Sequence, residues 1–341
     1  MEAEAGQAQP GALGRREGRA SLRTAMSANP GLVAAGIVLA IAVALIATQG
    51  LQPVAQTGLN GLISGSYFAL GAVGLTLVYG TLKLVNFAHG DLLTFGAYTA
   101  FLANITLGLP ILLAVLVAIV VTAALGVFTE RVMWRPMRAK GAGLLQLLLM
   151  ALGLAFVIRY AIQFVAGTAP RTLDVDVTSS VGFLGLRIGQ TQLVVMLAGF
   201  AVLIGVGVML RSTSLGRQMR ALSDNFDLAE VSGIDTDRVV MATWVFAAGL
   251  AGLAGVLYTS SIGNMTPNIG FSLLLTLFAA VILGGIGNAY GALAGGVLLG
   301  LAQEWSTLLV DARWKLAVGF LVLILVLIVR PQGLFGRKER L

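Results

Sequence analysis

The chain has no cysteine and a single histidine, His89, in 341 residues. Disulfide scaffolds, thiolate metal sites and Cys–His nucleophiles are excluded, and a histidine-rich metal centre has no ligands to draw on. Charge is also scarce. Asp, Glu, Lys and Arg make up 11% of the residues, against about 25% in an average soluble domain. That is too little to coat a water-soluble surface of this size. Apolar residues reach 57%, with 44 glycines besides. The same numbers exclude intrinsic disorder, which needs low hydrophobicity and high net charge. An all-α polytopic membrane protein held in the lipid bilayer fits this composition. The net charge of +7 does not point to nucleic acid. Basic residues cluster at the ends of apolar runs, and no basic stripe interleaved with aromatics occurs.

Residues 1–30 are polar and basic and read as a disordered cytoplasmic tail; 337–341 form a second short tail. Between them, 31–336 read as one transmembrane domain. Its apolar runs are 31–48, 54–79, 91–109, 110–129, 143–166, 191–210, 239–262, 270–287, 289–309 and 313–330, and a span needs roughly 17–25 residues. Glycines and very short connectors in 91–109, 270–287 and 289–309 leave room for re-entrant or broken helices, so about 8–10 transmembrane helices are expected. A cleaved signal peptide is the competing reading of the first run.

With the amino terminus inside and ten spans threaded, 17 of the 22 Lys and Arg residues fall in cytoplasmic segments. Arg171, Arg187, Arg313 and Lys315 fall outside and Arg159 within a span. This is the bias that the positive-inside rule demands, and it predicts that both termini are cytoplasmic. The longest external loop is 167–190, and the longest charged cytoplasmic loop is 211–238.

Close helix packing in lipid relies on small residues. Gly61 and Gly65, Gly291 and Gly295, and Gly296 and Gly300 stand at the required spacing. Glycine-rich breaks at 86–90 and 284–291 echo one another between the halves. Such paired interruptions predict an inverted repeat of two helix bundles, with a pathway between them.

The segment Asn86-Phe87-Ala88-His89-Gly90-Asp91 is read as a helix break inside the bundle, because non-helical backbone survives at membrane depth only where protein buries it or water wets it. Gly90 permits an unusual backbone angle, and Asp91 is positioned to cap the helix that follows. Arg159 and Glu304 are intramembrane charges. They can snorkel to the interface, pair with one another or contact cargo.

In 214–234, Leu215, Met219, Leu222, Phe226 and Ala229 define one helical face, and Arg217, Arg220, Asp224 and Asp227 lie off it. Gly233 ends the helix. Such a helix can lie on lipid or dock with a soluble partner, and the mixed charge favours a protein.

No His-Glu-x-x-His motif and no polar pair deep in the spans is present, so no catalytic residue and no metal site is expected and an enzyme is disfavoured. An ion-coupled secondary transporter is the rival from physics, but it usually carries several acidic residues in its spans, and only Glu304 qualifies. The chain also lacks the Gly-x-x-x-x-Gly-Lys-[Ser/Thr] phosphate loop.

Longer motifs add a resemblance. They are Gly-Leu-Asn-Gly-Leu-Ile-Ser-Gly-Ser-Tyr-Phe-Ala-Leu-Gly-Ala-Val-Gly-Leu-Thr-Leu-Val-Tyr-Gly (58–80), Val-Asn-Phe-Ala-His-Gly-Asp (85–91), Phe-Gly-Ala-Tyr (95–98), Arg-Ala-Leu-Ser-Asp-Asn (220–225), Gly-Ile-Asp-Thr-Asp-Arg (233–238) and Gly-Gly-Ile-Gly-Asn-Ala-Tyr-Gly-Ala-Leu-Ala-Gly (284–295). Asp227-Leu-Ala229-x-x-x-Gly233 is a degenerate form of the importer motif Glu-Ala-Ala-x-x-x-Gly. Over about 53–336 the chain resembles the H-type inner-membrane permeases of branched-chain amino-acid ABC importers, to which urea and short-chain amide permeases are closely related.

The resemblance implies a permease subunit for branched-chain or other hydrophobic amino acids in a bacterial inner membrane. Its partners would be a second related permease, two ATP-binding subunits and a solute-binding protein. No cofactor is implied on this chain, since ATP and Mg would bind the partner subunits. Asn86, Phe87, His89 and Asp91 would form the signature turn beside the pathway. Gly284, Gly285, Gly287 and Asn288 would form the second-half break. The coupling helix would present Arg217, Met219, Arg220, Leu222, Asp224, Asn225, Phe226, Asp227, Glu230 and Gly233 to the ATPase.

Overall fold

A computed structural model describes residues 30–336. The tails expected over 1–30 and 337–341 lie, apart from Pro30, outside the described residues. The chain divides into two compact units, Met1–Gly50 and Leu51–Leu341. The first contributes one uncharged helix, α1 (Pro30–Gln49).

The second unit is a helical bundle. Helix α2 (Leu51–Leu82) leads to α3 (His89–Phe101), which ends in a widened turn over Leu102–Thr106. Helix α4 (Ile111–Thr129) runs through a second widened turn, Glu130–Trp134, into α5 (Arg135–Ala139). Helix α6 (Leu144–Ala166) precedes an antiparallel hairpin of β1 (Ser180–Phe183) and β2 (Leu186–Gly189). Then come α7 (Gln190–Ser212), the short α8 (Ser214–Asp224) and α9 (Phe226–Val231), and α10 (Thr236–Ile262). Helices α11 (Ile269–Gly284), α12 (Ala289–Ser306) and α13 (Lys315–Val329) complete the bundle.

Every apolar run forms helix, but not every helix is a full span. Among the described residues seven stretches are long and apolar enough to cross a membrane. Helices α11 and α12 are bent by 120° at their short break and together make an eighth. With the bent pair taken as one span, the total of eight stands at the lower end of the 8–10 helices expected. The breaks are where glycine allows backbone that other residues resist: Gly285 and Gly287 have φ of 107° and 82°.

Contacts identify the two ends of the bundle. At the start of α2, Gln56 Nε2 donates to the Arg187 carbonyl (2.8 Å) and Trp305 Nε1 donates to that of Val54 (3.1 Å). At its finish, Lys83 Nζ donates to the Ser223 carbonyl (3.1 Å), and a Cβ on Gly80 would stand 3.0 Å from Ser223 Oγ and 3.5 Å from the Gly287 carbonyl. The hairpin therefore marks one end. Lys83, α8 and the α11–α12 break mark the other.

Helix α2 is the central element, buried along most of its length. Its glycines bring it onto α12. A Cβ on Gly61 would stand 2.8 Å from Leu301 Cα, and one on Gly65 equally close to Val297 Cα. With no water to drive helices together in lipid, such backbone approach is what gives van der Waals contact its reach.

Candidate functional site: a helix junction inside the bundle and an exposed helical pair at its end

After Leu82 the chain leaves the helix and re-enters the bundle. Lys83 takes a positive φ of 52°, and residues 83–88 are largely irregular. Buried Asn86 organises the turn: its Oδ1 accepts from the Ala88 amide (3.1 Å) and its carbonyl from the His89 amide (3.2 Å). Phe87 packs on Phe278 with ring centroids 5.1 Å apart.

His89, fully buried, reaches the Gly71 carbonyl with Nε2 at 2.9 Å. A carbonyl only accepts, so Nε2 carries the proton; Nδ1 and Asn86 Nδ2 have no hydrogen-bond partner among the described residues. Gly71 lies eleven residues before Leu82, roughly 16 Å along the axis. Helix α3 thus begins deep in the bundle, in surroundings that bury its irregular lead-in.

The start of α11 meets it there. The Gly270 amide donates to Thr94 Oγ1 (3.0 Å), and the backbones of Gly90 and Gly270 are so close that neither site has room for a Cβ. Gly90 is therefore needed for this approach. It sits in ordinary helical backbone, which corrects the expectation of an unusual angle.

Asp91 does not cap α3, another correction. It lies in the first helical turn and holds Arg159 of α6 in a two-bond fork: Nε to Oδ1 and Nη2 to Oδ2, both 2.9 Å. The guanidinium lies over the Phe271 ring, 4.4 Å from its centroid. Arg159 therefore ties α3, α6 and α11 together at depth.

The alternative pairing of Arg159 with Glu304 is overturned. Glu304 instead accepts from Lys315 Nζ (2.7 Å) and from Ser64 Oγ (3.4 Å), and Ser64 Oγ in turn accepts from the Tyr67 hydroxyl (3.1 Å). Lys315 had been read only as an external charge.

The second glycine break is held from both sides. Asn288 Oδ1 accepts from the amides of Tyr290 and Gly291 (both 3.1 Å) and caps α12, while its Nδ2 donates to the Phe335 carbonyl (3.0 Å). The Phe335 amide returns a bond to the Gly284 carbonyl (2.9 Å).

The segment 214–234 forms two helices. Thr213 Oγ1 caps α8 by accepting from the Gly216 amide (3.0 Å), and Asn225 Oδ1 caps α9 by accepting from the Leu228 amide (2.9 Å). Gly233 (φ 85°) follows as the stop. Met219, Leu222 and Ala229 turn inward and pack into the bundle core. Met219 and Leu222 are thereby corrected from partner-facing residues to the seat of the helix. Exposed are Arg217, Arg220, Asp224, Asn225, Phe226, Asp227 and Glu230, with Leu228 and Val231.

Sequence reasoning missed several residues here. Lys83 staples α2 to α8 through Gly80 and Ser223, and its only signal was its place just after an apolar run. Buried Glu130 pairs with Arg138 in the segment between the apolar runs 110–129 and 143–166. In the 167–190 loop, Asp176 accepts from the amides of Thr178 (2.8 Å) and Ser179 (3.0 Å) and from the Thr178 hydroxyl (2.8 Å). Bonds from Ser179 and then Thr178 hold its carboxyl below the ordinary carboxylate range. No group of three or more metal-ligating side chains comes together among the described residues.

A multi-pass helical bundle with helix starts buried at depth and an exposed helical pair at one end has the build of a membrane permease. Residues 58–327 match the family described as branched-chain amino acid transport system / permease component, and the chain belongs to that family.

Among its relatives is the high-affinity branched-chain amino acid transport system permease protein BraD of Pseudomonas aeruginosa. It is 34% identical over 297 residues, which are 83% of this chain and 96% of the relative. The LivH permease protein of the corresponding Escherichia coli K12 system is 35% identical over 298 residues, with the same shares. The ribose import permease protein RbsC of Escherichia coli K12 is 27% identical over 303 residues, covering 86% of this chain and 91% of the relative. No solved structure matches the chain.

Proposed function

We propose that this chain is the permease subunit of an ATP-driven importer of branched-chain amino acids, with both termini on the cytoplasmic side of a bacterial inner membrane. The family match over 58–327 carries this reading. BraD and LivH are named for branched-chain amino acid transport. With no phosphate loop of its own, the subunit takes its energy from two ATP-binding partners and its cargo from a solute-binding protein, and it works beside a second permease.

The pathway runs past the junction of α3 and α11, where Asn86, Phe87, His89 and Asp91 lie. The exposed face of α8 and α9 receives the ATPase, with Phe226, Leu228 and Val231 as its apolar centre and Arg217, Asp227 and Glu230 around it. Motion of α8 passes through Lys83 to the end of α2, and from there to the turn at Asn86.

Reconstitution of the full complex with its binding protein tests the cargo. Leucine, isoleucine or valine raises ATP turnover, whereas urea, acetamide and ribose do not. Stimulation by urea or an amide alone would replace the cargo and leave the machine intact. Uptake that follows an ion gradient without ATP would favour an ion-coupled secondary transporter.

A further inference from the structure

A row of hydrogen-bonding side chains runs along α2 from the hairpin end. Gln52, Gln56, Asn60 and Ser64 recur every fourth residue and form one ridge of the helix. The first two hold the hairpin: Gln52 Nε2 donates to the Gly185 carbonyl (3.0 Å), and Gln56 Oε1 accepts from the Arg187 amide (2.8 Å). Gln56 Nε2 also donates to Asn60 Oδ1 (3.3 Å). Asn60 and Ser64 are only part-buried, whereas every residue from Gly65 to Val78 is buried. The polar row is thus open toward the hairpin and closed below Ser64.

Its depth excludes lipid as the neighbour. Helix α2 has 32 residues, roughly 48 Å, against a hydrocarbon layer of about 30 Å. Ser64 and Asn60 lie roughly 27 and 33 Å from Leu82 along the axis. With α2 centred on the bilayer, both fall inside the hydrocarbon layer, as does Glu304, which accepts from Ser64. Acyl chains do not solvate an amide, an acid and a base, so this face meets water or protein.

The charges there are only half engaged. Lys315 Nζ and Ser64 Oγ both bond Glu304 Oε1, and Oε2 has no hydrogen-bond partner among the described residues. An ammonium has three donors, and Lys315 Nζ spends one. Both side chains are partly exposed, and a wetted pair of this kind opens easily. The Asp91–Arg159 pair, buried and doubly bonded, does not share that freedom. Beside Ser64 stand two aromatic rings, Tyr67 and the part-buried Tyr258, with centroids 5.3 Å apart.

We propose that Glu304, Ser64 and Lys315 form a receiving site for the charged end of a free amino acid, a reading that rests on the amino-acid importer proposed above. Glu304 and Ser64 take the cargo's ammonium. Lys315, released from Glu304, takes its carboxylate, so the site stays neutral before and after. The branched side chain lies against Tyr67 and Tyr258. Ser64 is seven residues before Gly71, the residue that His89 contacts, so the site stands roughly 10 Å to the hairpin side of the α3–α11 junction. On the proposed orientation this is the external half of the pathway.

The test uses the full complex in proteoliposomes with photo-leucine, an analogue that carries a diazirine on its side chain and keeps both charged groups. Illumination labels peptides of this chain that hold Tyr67, Tyr258 or Glu304, mapped by mass spectrometry. Excess leucine removes the label. Isocaproate, which lacks the ammonium, and isoamylamine, which lacks the carboxylate, do not. The double change Glu304→Gln with Lys315→Gln keeps a neutral hydrogen-bonded pair and still assembles with the second permease, but its label falls about tenfold, as expected for lost charge-assisted bonds. Label confined to the α3–α11 junction, or leucine import by the double variant at the parent rate, overturns the proposal. So does a double variant whose bundle folds but no longer joins the second permease, since the pair would then seal a seam between subunits. Leucine import by a parent complex labelled elsewhere removes this site alone. A parent complex that imports no leucine with ATP removes the importer reading as well.

Discussion

Two of the acid–base pairs, Asp91 with Arg159 and Glu304 with Lys315, differ in how water reaches them. The side chains of Asp91 and Arg159 are 0% and 9% exposed and are joined by two bonds of 2.9 Å. Those of Glu304 and Lys315 are 14% and 34% exposed and are joined by one shorter bond of 2.7 Å. Bond length alone would rank the second pair higher. What matters more is what solvates each charge when its partner is gone. At Glu304 water and the Ser64 hydroxyl remain. At Arg159 only aromatic faces do.

The deep pair is the place to break this comparison. Asp91→Leu leaves a buried guanidinium without its carboxylate and costs about 3–5 kcal/mol. Thermal unfolding in detergent reads it as a large drop in the midpoint. The double change Asp91→Leu with Arg159→Met recovers most of that loss, since an apolar pair has no charge to strand. A single variant as stable as the parent contradicts the burial argument.

The rim pair sharpens it. Glu304→Gln is expected to cost about 1 kcal/mol, with the loss shrinking as salt is raised. A loss equal to that at Asp91 would mean that water does not reach Glu304.

An acid in full contact with water gives the smallest effect. The Asp176 carboxyl is held low by Ser179 and Thr178, so its contribution to loop order is complete above the ordinary carboxylate value. It fades only as pH falls below about 4 toward the lowered folded value. Protease nicking of the 167–190 loop should stay constant from neutral pH to about pH 5 and rise only in stronger acid, and Asp176→Asn should be nicked faster at neutral pH. Loosening between pH 7 and 5 would point to another group.

The same contrast between local and distant shows what could be read in advance. Apolar runs located the helices of the bundle other than α5, α8 and α9, because lipid and protein alike demand a continuous greasy stretch. Glycines marked both breaks, though not the 120° bend between α11 and α12. Charge pairing was not legible. Asp91 stands beside Gly90 at a helix start and reads as a cap, and its partner is 68 residues away. In α8 the amphipathic period was plain, but a helix seated on its own bundle has the same period as one docked on a partner. Only packing shows that Met219 and Leu222 face inward while Phe226, Leu228 and Val231 face out. The hairpin read only as a polar loop, since its apolar face spans just four residues on two strands.

The central claim is that this permease is driven from outside through α8 and α9. It is tested most directly by leucine uptake into proteoliposomes holding the full complex, with ATP inside and ionophores present, comparing the parent with Phe226→Asp, Leu228→Asp, Val231→Asp. The account predicts ATP-dependent uptake that ionophores leave intact. It also predicts that the triple variant assembles its membrane bundle yet loses uptake and binds its ATPase weakly. Full uptake by that variant, or uptake abolished by ionophores with ATP present, would contradict it.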